Sequence, residues 1–128
     1  MAATRQTTAA SVRPLNGSIV RRYTAGSAIA VGEVVQMASD GYVDPAACGA
    51  WMRVIGVSIQ AASAAAEMVD VVVFGPVTSI SGATIGANVY ASNTAGEYSE
   101  SAGTTEICVG FAESATVLFV RVEQLDFS

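Results

Sequence analysis

An all-β domain is what this chain predicts, and three observations predict it. The densest run of β-branched and aromatic residues, Glu67 to Val77, places five valines in eleven positions, and valine packs on a pleated surface better than against a helical turn. An apolar-glycine strand pattern with a hairpin turn occurs twice. In both occurrences the flanking glycines, Gly32 and Gly56 or Gly86 and Gly110, stand 24 positions apart, and the second copy follows 54 residues after the first. Finally, the one helix candidate, the Ala-rich stretch Gln60 to Met68, is barely two turns long, lacks a glycine stop and lies between strong strand signals, so it reads as a loop.

In chain order, Met1 to Val12 is Ala, Thr, Ser and Gln with almost nothing to bury. Such a segment does not offset its own ordering entropy and is expected to be a mobile arm, extending to residue 16. An extended Thr/Ala segment can add a strand to an exposed sheet edge through its backbone, so Thr4, Arg5, Gln6, Thr7, Thr8 and Arg13 are the candidate binding residues of the arm. Residues 17–128 then form a single β domain. Gly17 to Thr24 reads as the first strand, and its adjacent Arg21 and Arg22 point to opposite faces. One of them is expected to face inward or towards a neighbouring subunit, with a carboxylate partner among Glu33, Glu67 and Asp70.

The two repeat copies span about 29–77 and 83–124. In the first, Ala30 to Val35 leads through a turn at Asp40-Gly41-Tyr42 to Val54-Ile55-Gly56-Val57. In the second, Thr84 to Tyr90 leads through Ala95-Gly96-Glu97-Tyr98 to Cys108-Val109-Gly110-Phe111. A valine-rich strand follows each copy. Strand, hairpin, strand, strand, occurring twice, gives a small antiparallel barrel or sandwich of about eight strands with pseudo-twofold symmetry. Gly75-Pro76 is expected to break the central strand, because proline has no ladder N–H. The repeated glycines read as bends and close backbone approaches instead of a phosphate-binding loop. Leu118 to Phe127 alternates apolar and charged residues, so it has one dry and one wet face. Trp51, the only tryptophan, with Met52 beside it, is a candidate subunit-interface anchor together with Arg21 and Arg22.

Charge and composition narrow the function. Residues 1–22 carry four arginines and no acid, whereas the rest carries two arginines against all eleven acids, for a net charge of −5. A body of like sign to the phosphate backbone argues against nucleic acid as a partner. No apolar run approaches the roughly 18 residues of a membrane span, and no secretory signal follows Arg5. With 52% hydrophobic and 13% charged residues, much apolar surface is left to be covered by self-association. Two cysteines make no disulfide framework, so Cys48 and Cys108 are expected to be free thiols. The chain has no histidine and no lysine, which removes His-based acid–base work, Ser-His, Cys-His and Ser-Lys pairs, Schiff bases and the usual zinc ligand sets. The carboxylate pairs Glu67 with Asp70 and Glu97 with Glu100 lack the setting of a glycosidase site and read as solvated acids. The expectation is therefore no enzyme, no metal and no cofactor.

The Thr/Ala-rich arm, Val31-Gly32-Glu33-Val34-Val35, Asp40-Gly41-Tyr42-Val43, Val54-Ile55-Gly56-Val57, Val72-Val73-Phe74-Gly75-Pro76-Val77 and Gly86-Ala87-Asn88-Val89-Tyr90 together resemble the small capsid decoration proteins of tailed bacteriophages. The resemblance covers about Gly26 to Val122. It implies a β-tulip type body, homotrimers at threefold and quasi-threefold sites of the expanded head, and stabilisation of the shell. It also implies the major capsid protein as partner, an arm that orders only on the shell, assembly in the host cytoplasm and residence on the outer surface of the virion. A different class, a trimeric receptor-binding or fibre-base module that recognises a cell-surface glycan, stands beside it and would need exposed aromatic platforms.

Overall fold

The computed structural model describes residues 3–47, 53–104 and 106–124. Trp51, Met52, Cys48 and the segment after Gln124 lie outside the described residues. Eleven strands form within them: β1 (Thr4–Arg5), β2 (Ile19–Thr24), β3 (Val34–Met37), β4 (Val43–Pro45), β5 (Arg53–Ser58), β6 (Met68–Val77), β7 (Ile80–Ser81), β8 (Asn88–Ala91), β9 (Tyr98–Ser99), β10 (Ile107–Ala112) and β11 (Leu118–Gln124). The chain is all-β. Between β5 and β6, residues 59–67 form no helix; the Glu67 carboxylate there accepts from both the N–H and the hydroxyl of Ser63.

Eight strands run in the order β4-β3-β5-β6-β11-β10-β8-β9, with β2 joined to β6 from outside this path, and β1 and β7 form a separate pair. Every strand pairing is antiparallel. The path starts at β4, ends at β9 and does not close, so the barrel form of the expectation is corrected and the sandwich-like form stands. Closure would require the terminal strands to pair, and β4 and β9 each pair with one strand only.

The valine-rich β6 is the centre. It pairs with β2 from Met68 to Phe74, with β5 at Val71 and Val72, and with β11 from Gly75 to Val77. The expected break at Gly75-Pro76 does not occur. Gly75 takes φ +105°, open to glycine and rare for other residues, and Pro76 needs no donor of its own, since its carbonyl accepts from the Leu15 N–H at 2.9 Å. Alternate side chains of β6 go to different cores: Val72 and Val77 join the larger, with Val34, Val57, Val109, Leu118 and Val120. Val69 and Val71 join the smaller, with Val35, Val43, Ala25, Ile29 and Ala62.

β8 and β10 begin and end 54 positions after β3 and β5, and the strand order reads symmetrically about the β6–β11 pair. Gly32 and Gly86 have φ of +82° and +83°. Gly56 and Gly110 each sit at a register shift in their ladders. At each, an added Cβ would run into the carbonyl oxygen of the next strand, that of Val72 or of Phe119, so these are close approaches that only glycine allows.

The N-terminal segment departs from the mobile arm expected of it. Ala3 and Val12 are buried in the larger core, and the chain between them is tied to the body by main-chain hydrogen bonds. Few apolar side chains suffice where an open strand edge supplies the remaining contacts.

Candidate functional site: the seat of the N-terminal arm

The seat is assembled from three places distant in sequence, residues 31–32, 76–81 and 97–98. β7 offers its edge to β1, with Thr4 opposite Ser81 and Arg5 opposite Ile80. The Thr4 hydroxyl donates to Ser81 O at 3.2 Å, and the Gln6 N–H donates to Ser79 O at 2.9 Å. A short 3₁₀ turn at Ala9–Ser11 then swings the chain onto the end of β6. There the Arg13 N–H donates to Thr78 Oγ1 at 2.8 Å, the Thr78 N–H donates to Arg13 O at 3.0 Å, and the Thr78 hydroxyl donates to Ser11 O.

Arg5 is the clamp. Its Nε lies 2.8 Å from Glu97 Oε2 and its Nη1 donates to Val31 O at 3.0 Å. The Arg5 side chain retains 17% of its exposure and Glu97 34%, so this pair is partly shielded from water and weighs more than an open surface bridge. Gly32 lies beneath. A Cβ on it would stand 3.0 Å from Gln6 O and 3.5 Å from Arg5 Cγ and Val12 Cγ2, so the arm crosses the body where there is no side chain.

Below the saddle, the buried Tyr98 hydroxyl donates to Gly32 O at 2.6 Å, with Ser79 Oγ 3.1 Å away. Burial pushes this phenol well above its ordinary range, while the Ser79 hydrogen bond and the Arg5 charge pull the other way. Tyr98 is thus a neutral donor that holds the Gly32 loop against β9. Among the described residues no buried side-chain nitrogen or oxygen is left without a partner.

The candidate residues divide. Arg5 and Gln6 are committed to the body, whereas Thr7, Thr8 and the arginine of Arg13 face outward, the last with its Nε donating to Ala10 O at 3.0 Å. Arg21 and Arg22 are both exposed, which removes the inward half of the expectation and leaves the half that turns one towards a neighbouring subunit: β2 pairs with β6 alone, and its first four residues are uncovered. Arg22 does find a carboxylate among the three named. Its Nε is 2.9 Å from Oδ1 of Asp70, its cross-strand partner, and this hydrogen bond and charge raise the guanidinium pKa. Trp51 and Met52 lie outside the described residues.

The carboxylates once paired on spacing are held apart by separate donors: Glu67 by Ser63, Asp70 by Arg22, Glu97 by Arg5, and Glu100 by the Thr84 N–H at 2.8 Å. The Ser63 and Thr84 hydrogen bonds hold Glu67 and Glu100 below the usual carboxylate range. Among the described residues no three His, Cys, Asp or Glu side chains group as a metal site, and no helix is long and apolar enough to cross a membrane.

Sequence reasoning missed two features. Glu97 and Tyr98 as the seat of the arm carried a faint signal, since a Glu-Tyr pair stands where the first copy, 54 residues earlier, has Val43-Asp44. The second is an aromatic ladder across the sheet. The Phe74 and Phe119 rings meet edge to face at 5.3 Å, and Phe119 and Phe111 stack at 5.3 Å. What this chain's arm and seat can do is bind an extended segment of backbone by its edge. Compared with known proteins, the chain matches no family model and no curated sequence.

Proposed function

We propose that this protein is a capsid decoration protein of a tailed bacteriophage, binding the outer surface of the expanded head through the major capsid protein and stabilising it, as a homotrimer at threefold sites. We include in this reading that the body is a duplicated unit of the β-tulip type. The observation that carries the proposal is the manner in which the arm is held. Residues 4–15 lie on the β6–β7 edge through backbone hydrogen bonds, a single ion pair and the buried Val12, and the edge pairing within that contact reads main chain more than side chains. An arm attached in this way can exchange its own edge for an edge of equivalent geometry on another protein. The two-residue pairing of β1 with β7 is short for a strand pair, but release of the arm also uncovers Ala3 and Val12 and breaks the Arg5–Glu97 pair. The edge on the shell must therefore replace those contacts, and many copies on one shell add their modest affinities.

The test uses expanded, undecorated heads of the phage that encodes the chain. The full chain should bind them saturably and raise the temperature at which they disrupt. A form lacking residues 1–8, with its fold verified by circular dichroism, should bind at least about tenfold more weakly. Absence of binding by the full chain sinks the function, and equal binding by both forms removes the arm from the mechanism. The glycan-binding alternative has one observation in its favour, the partial exposure of Phe74, Phe111 and Tyr42. Reproducible hits on a glycan array together with no binding to heads would favour that reading.

A further inference from the structure

One face of the sheet carries a continuous apolar strip that nothing among the described residues covers. In register from β2 to β10, Ile19 stands opposite Phe74, the Phe74 ring meets Phe119, and Phe119 stacks on its cross-strand partner Phe111. Ile19 is 53% exposed, Phe74 43% and Phe111 37%. The opposite face of the same strands, with Leu118, Val120 and Ala112, is sealed in the larger core. Exposed aromatics in contact with one another across three strands are costly to leave in water, and a strip of this kind marks an association surface.

The charges at the two ends of the strip say what covers it. At the β2 end, Arg21 lies two residues from Ile19, past the register shift between Ile19 and Val20; it is exposed and makes no salt bridge among the described residues. Towards β10, Glu123 stands opposite Cys108, and Glu106 is close enough to act on the same thiol. Both acids are exposed. Arg121 lies between Phe119 and Glu123 on β11, so the acidic end is not uniformly negative. A surface with an unpaired cation at one end, acids towards the other and aromatics between them is complementary to itself after rotation.

We propose that this strip is a self-association surface, seating a second copy of this chain so that the Ile19–Arg21 end of one protomer lies over the Phe111–Glu123 end of the next. The inference deepens the homotrimer of the proposed function by naming the surface that makes it, and rests on that part alone; head binding by a protein that stays monomeric would overturn the inference and leave the capsid reading standing. Two such contacts close a twofold pair, and successive ones close a ring.

Sedimentation velocity of the whole chain over a concentration series tests it. The unmodified protein should associate. Phe111→Ser, at a part-exposed position, should raise the dissociation constant at least about tenfold, equivalent to about 1.4 kcal/mol. Arg21→Glu should weaken association similarly, and adding Glu123→Arg to it should restore most of the loss. Thermal melting of each variant guards against misfolding. A monomer at all concentrations overturns the proposal. So does an oligomer indifferent to Phe111→Ser, or a charge swap that restores nothing.

Discussion

Val57 and Phe111 occupy the same place in two units that share strand bounds, strand order and glycine positions, yet Val57 is fully buried and Phe111 lies open on the outside. The same inversion holds elsewhere. Val34 is sealed while Asn88 is exposed, and Val35 belongs to the smaller core while Val89 belongs to the larger. The first unit is covered on one side by β2, Ala25, Ile29 and Ala62 and on the other by the second unit. Among the described residues the second unit packs against the first and the N-terminal arm, and its outer face at Phe111 is left open. Local pattern therefore sets the backbone of each unit, and neighbours decide which face is dry.

The largest expected effect probes what the units have in common. Gly56→Ala and Gly110→Ala should each destabilise the fold by roughly 3 kcal/mol or more, lowering the melting temperature by roughly 10 °C, because the methyl group meets a carbonyl oxygen of the neighbouring strand. Gly41→Ala, with φ +84° but open space around it, should cost only about 1 kcal/mol. A large loss in one unit and none in the other would break the equivalence of their backbones.

A smaller effect measures how they differ. Val57→Ala opens a cavity in the larger core and should cost about 2 kcal/mol in chemical denaturation. Phe111→Ala removes more atoms but from a part-exposed site, and should cost less than Val57→Ala. Both are measured below the concentration at which the protein associates, and the reverse order there would mean that the outer face is not open in the single chain.

The smallest effect concerns Cys108, which stands 54 positions after the sealed Val54. Its thiol is half-buried and free. Burial pushes its pKa up, and the neighbouring Glu123 and Glu106 add to the shift. A raised thiol pKa means less thiolate at a given pH. Alkylation of Cys108, followed by mass spectrometry of its peptide, should therefore be slower at pH 8 than for an unstructured thiol, and should gain on it only above the ordinary thiol range. A rate equal to that of a free peptide would place Cys108 in open water.

Much of this was legible in the residues. The valines of β6, the 24-residue glycine spacing and the weakness of the Gln60 to Met68 helix are local signals, and local backbone geometry follows from them. Asp70 could be named among three partners for the β2 arginines because a carboxylate within reach of a strand arginine is a short-range requirement. The docking of the arm was not legible. Arg5 meets Glu97 across 92 positions, and composition alone makes residues 1–12 look unable to bury anything, although Ala3 and Val12 do. Gly75-Pro76 misled for a related reason: a strand edge that needs no N–H at Pro76 exists only once Leu15 has been placed beside it. The aromatic strip joins phenylalanines of three strands, and no spacing rule links them.

Gly32 lets the arm lie flat on the body, and this has a consequence for the order in which the molecule matures. Thr4 pairs across 77 positions and Arg5 across 92, so the arm has nowhere to settle until Ser81 and Glu97 have been made. Contacts so far apart in sequence close slowly, and the arm settles only after its seat on β7 and β9 exists.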